Sequence, residues 1–120
     1  MRTVIINETC SIGIRMKSLL LIALLLPFAA SAANTDYTLV IKDHRFQPAE
    51  LTVPAGKKIK LTIENKDATP EEFESYPLGR EKVVAGNSTT TLYIGPLTPG
   101  RYPFFGEYNE ATAQGAVVAK

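Results

Sequence analysis

The chain has 120 residues, a formal charge of +1, one Cys, two Met and no Trp. Such a length suits one domain with a modest core. The near-neutral charge excludes the broad basic field that nucleic-acid binding needs, and a single Cys excludes an internal disulfide.

Met16-Lys17 begins with a positive charge, and Leu19–Phe28 is an apolar run broken only by Pro27. Ala29-Ala30-Ser31-Ala32-Ala33 then supplies the small residues of a signal-peptidase site, so residues 1–32 are expected to be a secretory signal cut after Ala32. Residues 1–15 read either as an over-extended start, with Met16 the initiator, or as a long leading segment. The apolar run is about half of the roughly 20 residues a spanning helix requires, so no retained membrane anchor is expected. No Cys stands at the cleavage point to carry a lipid. Cleavage would remove Cys10, Met1 and Met16, leaving residues 33–120 without any sulfur ligand. It would also remove Arg2, Arg15, Lys17 and Glu8, turning the formal +1 into −1.

In the remaining chain Tyr37, Leu39 and Ile41 alternate with Thr38, Val40 and Lys42 and predict a first strand. Leu51 and Val53 form a short extended segment closed by Pro54-Ala55-Gly56. Ile59, Leu61 and Ile63 alternate with Lys58, Lys60, Thr62 and Glu64, the period-2 pattern of a half-buried strand. An irregular stretch is expected from Phe73, and Val83-Val84 lead into a turn at Ala85-Gly86-Asn87. Thr90, Leu92 and Ile94 alternate with Thr89, Thr91 and Tyr93. Tyr102, Phe104 and Phe105 predict an aromatic strand, with Pro103 suited to an edge or a strand end. Gly115–Lys120 closes the sheet. Helical periodicity nowhere exceeds about one turn. About seven short strands with regular turns predict an all-β, Greek-key β-sandwich. Leu97-Thr98-Pro99-Gly100-Arg101-Tyr102 reads either as a tyrosine corner or as a generic turn followed by a core Tyr.

Three segments resemble the cupredoxin superfamily. Phe46-Gln47-Pro48-Ala49-Glu50-Leu51-Thr52-Val53-Pro54-Ala55-Gly56 is similar to the opening of those domains, and Ile63-Glu64-Asn65-Lys66-Asp67 to the end of their next strand. The third is the closing loop, Gly100 to Gly115. Within the superfamily, Thr69-Pro70-Glu71-Glu72-Phe73-Glu74-Ser75 and Gly79-Arg80-Glu81-Lys82-Val83-Val84 resemble the cupredoxin-like domains of periplasmic iron-uptake systems. The resemblance implies a periplasmic protein that handles an iron or copper ion beside an iron permease system or a periplasmic iron-binding protein. It leaves open whether such a protein oxidises Fe(II). By the same resemblance the copper-ligand positions fall on Glu71 for the first His, Gly106 for the Cys, Asn109 for the second His and Gln114 for the Met. A blue copper centre needs thiolate and imidazole, so none is expected here.

What remains is oxygen chemistry. Glu71, Glu72 and Glu74 lie on one segment, Glu107 and Glu110 in the closing loop, and the inferred fold brings both segments to one end of the sandwich. Glu72 and Glu74 flank Phe73, so in extended chain they share a face while the ring turns to the core. Glu72, Glu74 and Glu107 are the first candidates for a metal site, with Glu71, His44, Asn109 and Glu110 behind them. Carboxylates suit iron or Mn(II) better than Cu(I). Acidic loop residues are ordinarily just solvated, and Glu81 between Arg80 and Lys82 reads as a surface ion pair. His44 is flanked by Lys42 and Arg45, which would repel a cation, so an exposed His is the simpler reading. One His and no supporting Ser or Asp leave no hydrolase site. The alternative to metal binding is a metal-free module that uses its loop end to bind a protein.

Overall fold

Alternation of apolar and polar side chains decides which face of each strand is buried, and two sheets close on those faces. The computed structural model describes residues 25–27 and 32–120. The expected signal segment falls almost wholly outside them. Ala32–Lys120 forms one compact unit. Its nine strands are β1 (Asp36–Lys42), β2 (Arg45–Gln47), β3 (Glu50–Val53), β4 (Ile59–Asn65), β5 (Glu71–Ser75), β6 (Arg80–Val84), β7 (Ser88–Ile94), β8 (Gly100–Gly106) and β9 (Gln114–Ala119). One sheet has the order β2-β1-β4-β7 and the other β3-β9-β8-β5-β6. Parallel pairing of β1 with β4 and of β3 with β9 makes both sheets mixed.

The predicted sandwich is therefore present, with nine strands rather than seven. The added strands have physical reasons for being hard to read. β2 is three residues long and buries only Phe46. β5, expected to be irregular, carries Glu71 and Ser75 on the same inward face as Phe73, and polar residues on a core face hide the period of two. Pro103 also departs from expectation. It sits within β8, a central strand, but beyond the point where pairing with β5 stops at Phe105. Its carbonyl accepts the Ser75 hydroxyl at 2.8 Å instead.

The core joins both sheets: Leu39, Ile41, Ile59, Leu61, Ile63 and Ile94 from one, Val53, Phe73, Phe104 and Val117 from the other, all buried. Phe46, Phe73 and Phe104 form an aromatic knot, with centroids 4.9 Å apart for Phe46–Phe104 and 5.1 Å for Phe73–Phe104. The tyrosine corner is real: the Tyr102 hydroxyl donates to the Thr98 carbonyl at 2.8 Å.

Asn65 and Asp67 tie the loops at one end. Buried Asn65 donates to the carbonyls of Thr69 and Val84 and accepts the Asp67 N–H. The Asp67 carboxylate accepts the N–H groups of Asp43 and His44 at 2.8 and 2.9 Å. Those two residues make the two-residue β1–β2 turn with φ of 53° and 57°, the left-handed backbone that such a tight hairpin demands. The His44 and Asp43 N–H groups and the His44 charge hold Asp67 below its ordinary value of 3.8, against the opposing effect of burial. A depressed carboxylate stabilises the fold above its unfolded value, and that contribution is lost as pH falls from about 3.8 through the folded value. Asp67→Asn, which can accept only one of the two bonds, is expected to cost about 1–2 kcal/mol at neutral pH. Urea unfolding at pH 7 and pH 3 checks this, because the cost should shrink at the lower pH.

Candidate functional site

β5 is a strand with chemistry on both faces. In extended chain successive side chains point to opposite sides, so Glu71, Phe73 and Ser75 face the core while Glu72 and Glu74 face outward. Pairing then brings further groups to the outer face. Glu74 lies opposite Glu81 of β6 and opposite Phe105 of β8. Glu107 and Tyr108 arrive from the 3-10 turn Glu107–Asn109 that follows β8. Ligand atoms of Glu72, Glu74 and Glu107 come within 4.8 Å of one another.

Crowding this close disfavours the charged forms of Glu72 and Glu74. The Glu72 carboxyl is raised above its ordinary value by loss of water, then by the charges of Glu107 and Glu81. Glu74 is raised by burial first and then by Glu81, which lies within hydrogen-bonding reach. Glu74 is 8% exposed, and its Oε2 has no hydrogen-bond partner. Tyr108 is raised by burial and by Glu72, so its phenol stays neutral with the Glu72 carboxylate in reach. That is the state of a donor rather than of a phenolate. Tyr76, 77% exposed, packs on Phe105 at 5.7 Å beside this face.

The inner face of β5 holds a different arrangement. Glu71 is 1% exposed. Its Oε1 accepts the N–H of Tyr108 at 2.9 Å and of Glu72 at 3.0 Å, and its Oε2 accepts the Asn109 side chain at 2.6 Å. Gly106, opposite Phe73 in β8, makes room for it. A Cβ at 106 would lie 2.6 Å from the Glu71 Cδ and 2.7 Å from the Ala113 Cβ. Of the positions equated with copper ligands, Glu71 and Asn109 are already bonded to each other, Gly106 is bare, and Gln114 donates to the Glu110 carbonyl. They offer neither thiolate nor imidazole and leave no space for a side chain at 106, so a blue copper centre does not fit. Gly106→Ala is expected to cost about 1–3 kcal/mol through overpacking, measured as a lower urea midpoint with an unchanged slope.

The structure brings together Glu72, Glu74 and Glu107 and separates the remaining candidates from them. Glu71 is turned inward, and Asn109 is its partner. His44 stands in the β1–β2 turn with Nδ1 3.6 Å from Asp67, and its carbonyl accepts the Thr112 hydroxyl. Glu110 is exposed, and its carbonyl accepts the Gln114 amide at 2.9 Å. Glu81 is the residue that sequence reasoning misplaced. Among the described residues the ion pairs are His44–Asp67 and Arg101–Glu50, whereas Glu81 faces Glu74. Its neighbours Arg80 and Lys82 suggested a pair, and only the β5–β6 register reveals the acid opposite.

The family model of the cupredoxin-like domain matches residues 16–119. The uncharacterized protein RP394 of Rickettsia prowazekii (strain Madrid E) is 45% identical over 83 residues, covering 69% of this chain and 66% of that protein's length. Auracyanin A, a blue copper protein of Chloroflexus aurantiacus, superposes with a TM-score of 0.62 at 16% identity, over 71% of this chain and 98% of that one. Reduced auracyanin of Roseiflexus castenholzii gives 0.59 at 16%, over 74% and 99%. Amicyanin of Paracoccus versutus gives 0.57 at 16%, over 76% and 87%. At these identities the structural likeness is one of fold alone.

Proposed function

We propose that this chain, which belongs to the cupredoxin-like domain family, is an exported metal-binding protein serving ferrous-iron or copper uptake in the periplasm. It holds the cation through Glu72, Glu74 and Glu107. One observation carries the reading: Glu74, over nine-tenths buried, has an unpartnered oxygen within a group of three converging carboxylates. A carboxylate stripped of water and left without a donor is unfavourable, and a cation relieves all three acids together. Oxygen donors without thiolate or imidazole favour Fe(II), Fe(III) or Mn(II) over Cu(I). A bound iron would supply Lewis acidity and a one-electron couple, while the residues themselves hold and orient it. The β5 and β6 motifs, similar to those of iron-uptake domains, point the same way. Exposed Glu107 leaves the cation within reach of a permease or a periplasmic iron-binding partner.

A second reading, a metal-free module for protein binding, is favoured by a loop end fastened through the hydrogen bonds of Glu71 and by exposed Tyr76 and Tyr108. Calorimetric titration with Fe(II), Fe(III), Mn(II) and Cu(II) separates the two. Metal binding requires saturable one-to-one uptake that Glu72→Gln and Glu107→Gln each weaken by at least about tenfold. Heats no larger than those of the doubly substituted protein would overturn it in favour of the module.

A further inference from the structure

We propose that Glu71 is the positioning residue of the carboxylate site, an internal anchor that presents Glu107 to Glu72 and Glu74; this rests on the metal-binding reading above. Glu107 opens a 3-10 turn with no buried residue of its own and no side-chain cap. Packing within the turn therefore cannot fix where the Glu107 carboxylate points. What fastens the turn lies beneath it. The Glu71 carboxylate takes the Tyr108 N–H at 2.9 Å and the Asn109 amide at 2.6 Å, the two residues directly after Glu107. The Asn109 carbonyl then accepts the Ala113 N–H at 2.8 Å, and Gly106 N–H donates to the Ala113 carbonyl at 2.8 Å, closing the loop on itself. Charge-assisted bonds of this kind are short and strong when buried.

β5 thus works from both sides at adjacent residues. Glu72 faces out as a ligand, and Glu71 faces in as the anchor for the third ligand. Gly106 belongs to the same device, because any side chain there would displace the anchoring carboxylate. Glu71 is not a ligand: its two oxygens are already committed to three donors. Its effect on the cation passes through the backbone of the turn.

The test must separate anchoring from simple loss of negative charge. Glu71→Met removes the charge and both acceptor oxygens, whereas Glu71→Gln removes the charge alone, because its oxygen can keep the two N–H bonds and a turned Asn109 amide can accept from its N–H₂. Asn109→Asp adds a charge but sets two carboxylates face to face. In the double variant Glu71→Gln/Asn109→Asp the net charge is restored, and a donor once more meets an acceptor with the direction reversed. Mn(II) affinity, read by the free-ion electron paramagnetic resonance signal, is expected to fall about tenfold or more in Glu71→Met and to stay within about threefold of the parent in Glu71→Gln. Asn109→Asp should also weaken binding despite its extra charge, and the double variant should return to within about threefold of the parent. In metal-free parent protein the Tyr108 amide should exchange at least about 100-fold more slowly than an unprotected amide. If Glu71→Met does not fold, Asn109→Ala, which removes one donor, should still lose several-fold in affinity. Unchanged affinity in a folded Glu71→Met, tighter binding in Asn109→Asp, or an unprotected Tyr108 amide would overturn the anchor. Absence of saturable Mn(II) uptake by the parent would overturn the metal-binding reading instead, and the Tyr108 exchange, measured without metal, tells the two failures apart.

Discussion

Glu74→Gln is expected to raise the melting temperature of the metal-free protein while lowering its cation affinity by at least about 100-fold, more than a supporting residue usually costs. The two effects come from one group. Glu74 faces Glu81 across the β5–β6 ladder and shares space with Glu72 and Glu107, with one oxygen lacking any donor. Like charges directly opposite in a sheet destabilise it. The amide of Gln carries no charge to repel them, and it loses an anionic ligand. On the proposed metal-binding reading, affinity and stability are set against each other at this position.

The same crowding sets a pH dependence. Glu72 and Glu74 are held above their ordinary value of 4.5, chiefly by burial and by neighbouring acids. The folded state then binds protons more readily than the unfolded chain, so the pair's contribution to stability is greatest in acid. It falls as pH rises from about 4.5 through the raised values. Asp67 has the opposite slope, confined to lower pH. Thermal melts of metal-free protein between pH 4 and pH 7 should show a decline that Glu74→Gln flattens. Saturating cation should reverse it, because a ligand that binds only the folded state stabilises it in proportion to its affinity.

Phe73→Ala should have the largest effect on the fold. The ring is fully buried between Phe104 at 5.1 Å and Phe46 at 6.1 Å, where it joins the two sheets. Truncating a buried Phe costs about 3–5 kcal/mol. At roughly 4–8 °C per kcal/mol for a domain this small, the melting temperature should drop by about 12–40 °C. Because Glu72 and Glu74 flank this residue, loss of the ring should also loosen the site that β5 carries outward. Phe73→Leu keeps an apolar occupant and should cost about 1.5 kcal/mol or less. Cation affinity within about threefold of the parent in Phe73→Leu would show that the site depends on the placement of β5 rather than on the ring.

Much of the sandwich was legible in the order of residues alone. Ile59 to Ile63, and Leu92 and Ile94, alternate because each strand buries one apolar face and wets the other. The faces of β1 differ only moderately, because Val40 lies on the side away from Leu39 and Ile41. The Thr98–Tyr102 corner was readable because both of its ends lie within five residues. β5 was not readable as a strand, since two of its three inward residues are polar. Their burial is tolerable only because Tyr108, Asn109 and Pro103, some thirty residues later, supply the partners.

By itself, then, the sequence determined the class of fold and the donor chemistry: period-2 patterning selects sheets, and residues 33–120 contain no sulfur to offer a metal. It put Glu72 and Glu74 on one face only on condition that their segment is extended, and the structure supplied that condition by making it β5. The separate duties of Glu71 and Glu72, the opposition of Glu81 to Glu74 and the clearance at Gly106 were decided only in three dimensions. Each depends on strand register and on contacts between distant segments, and neither is written in local periodicity.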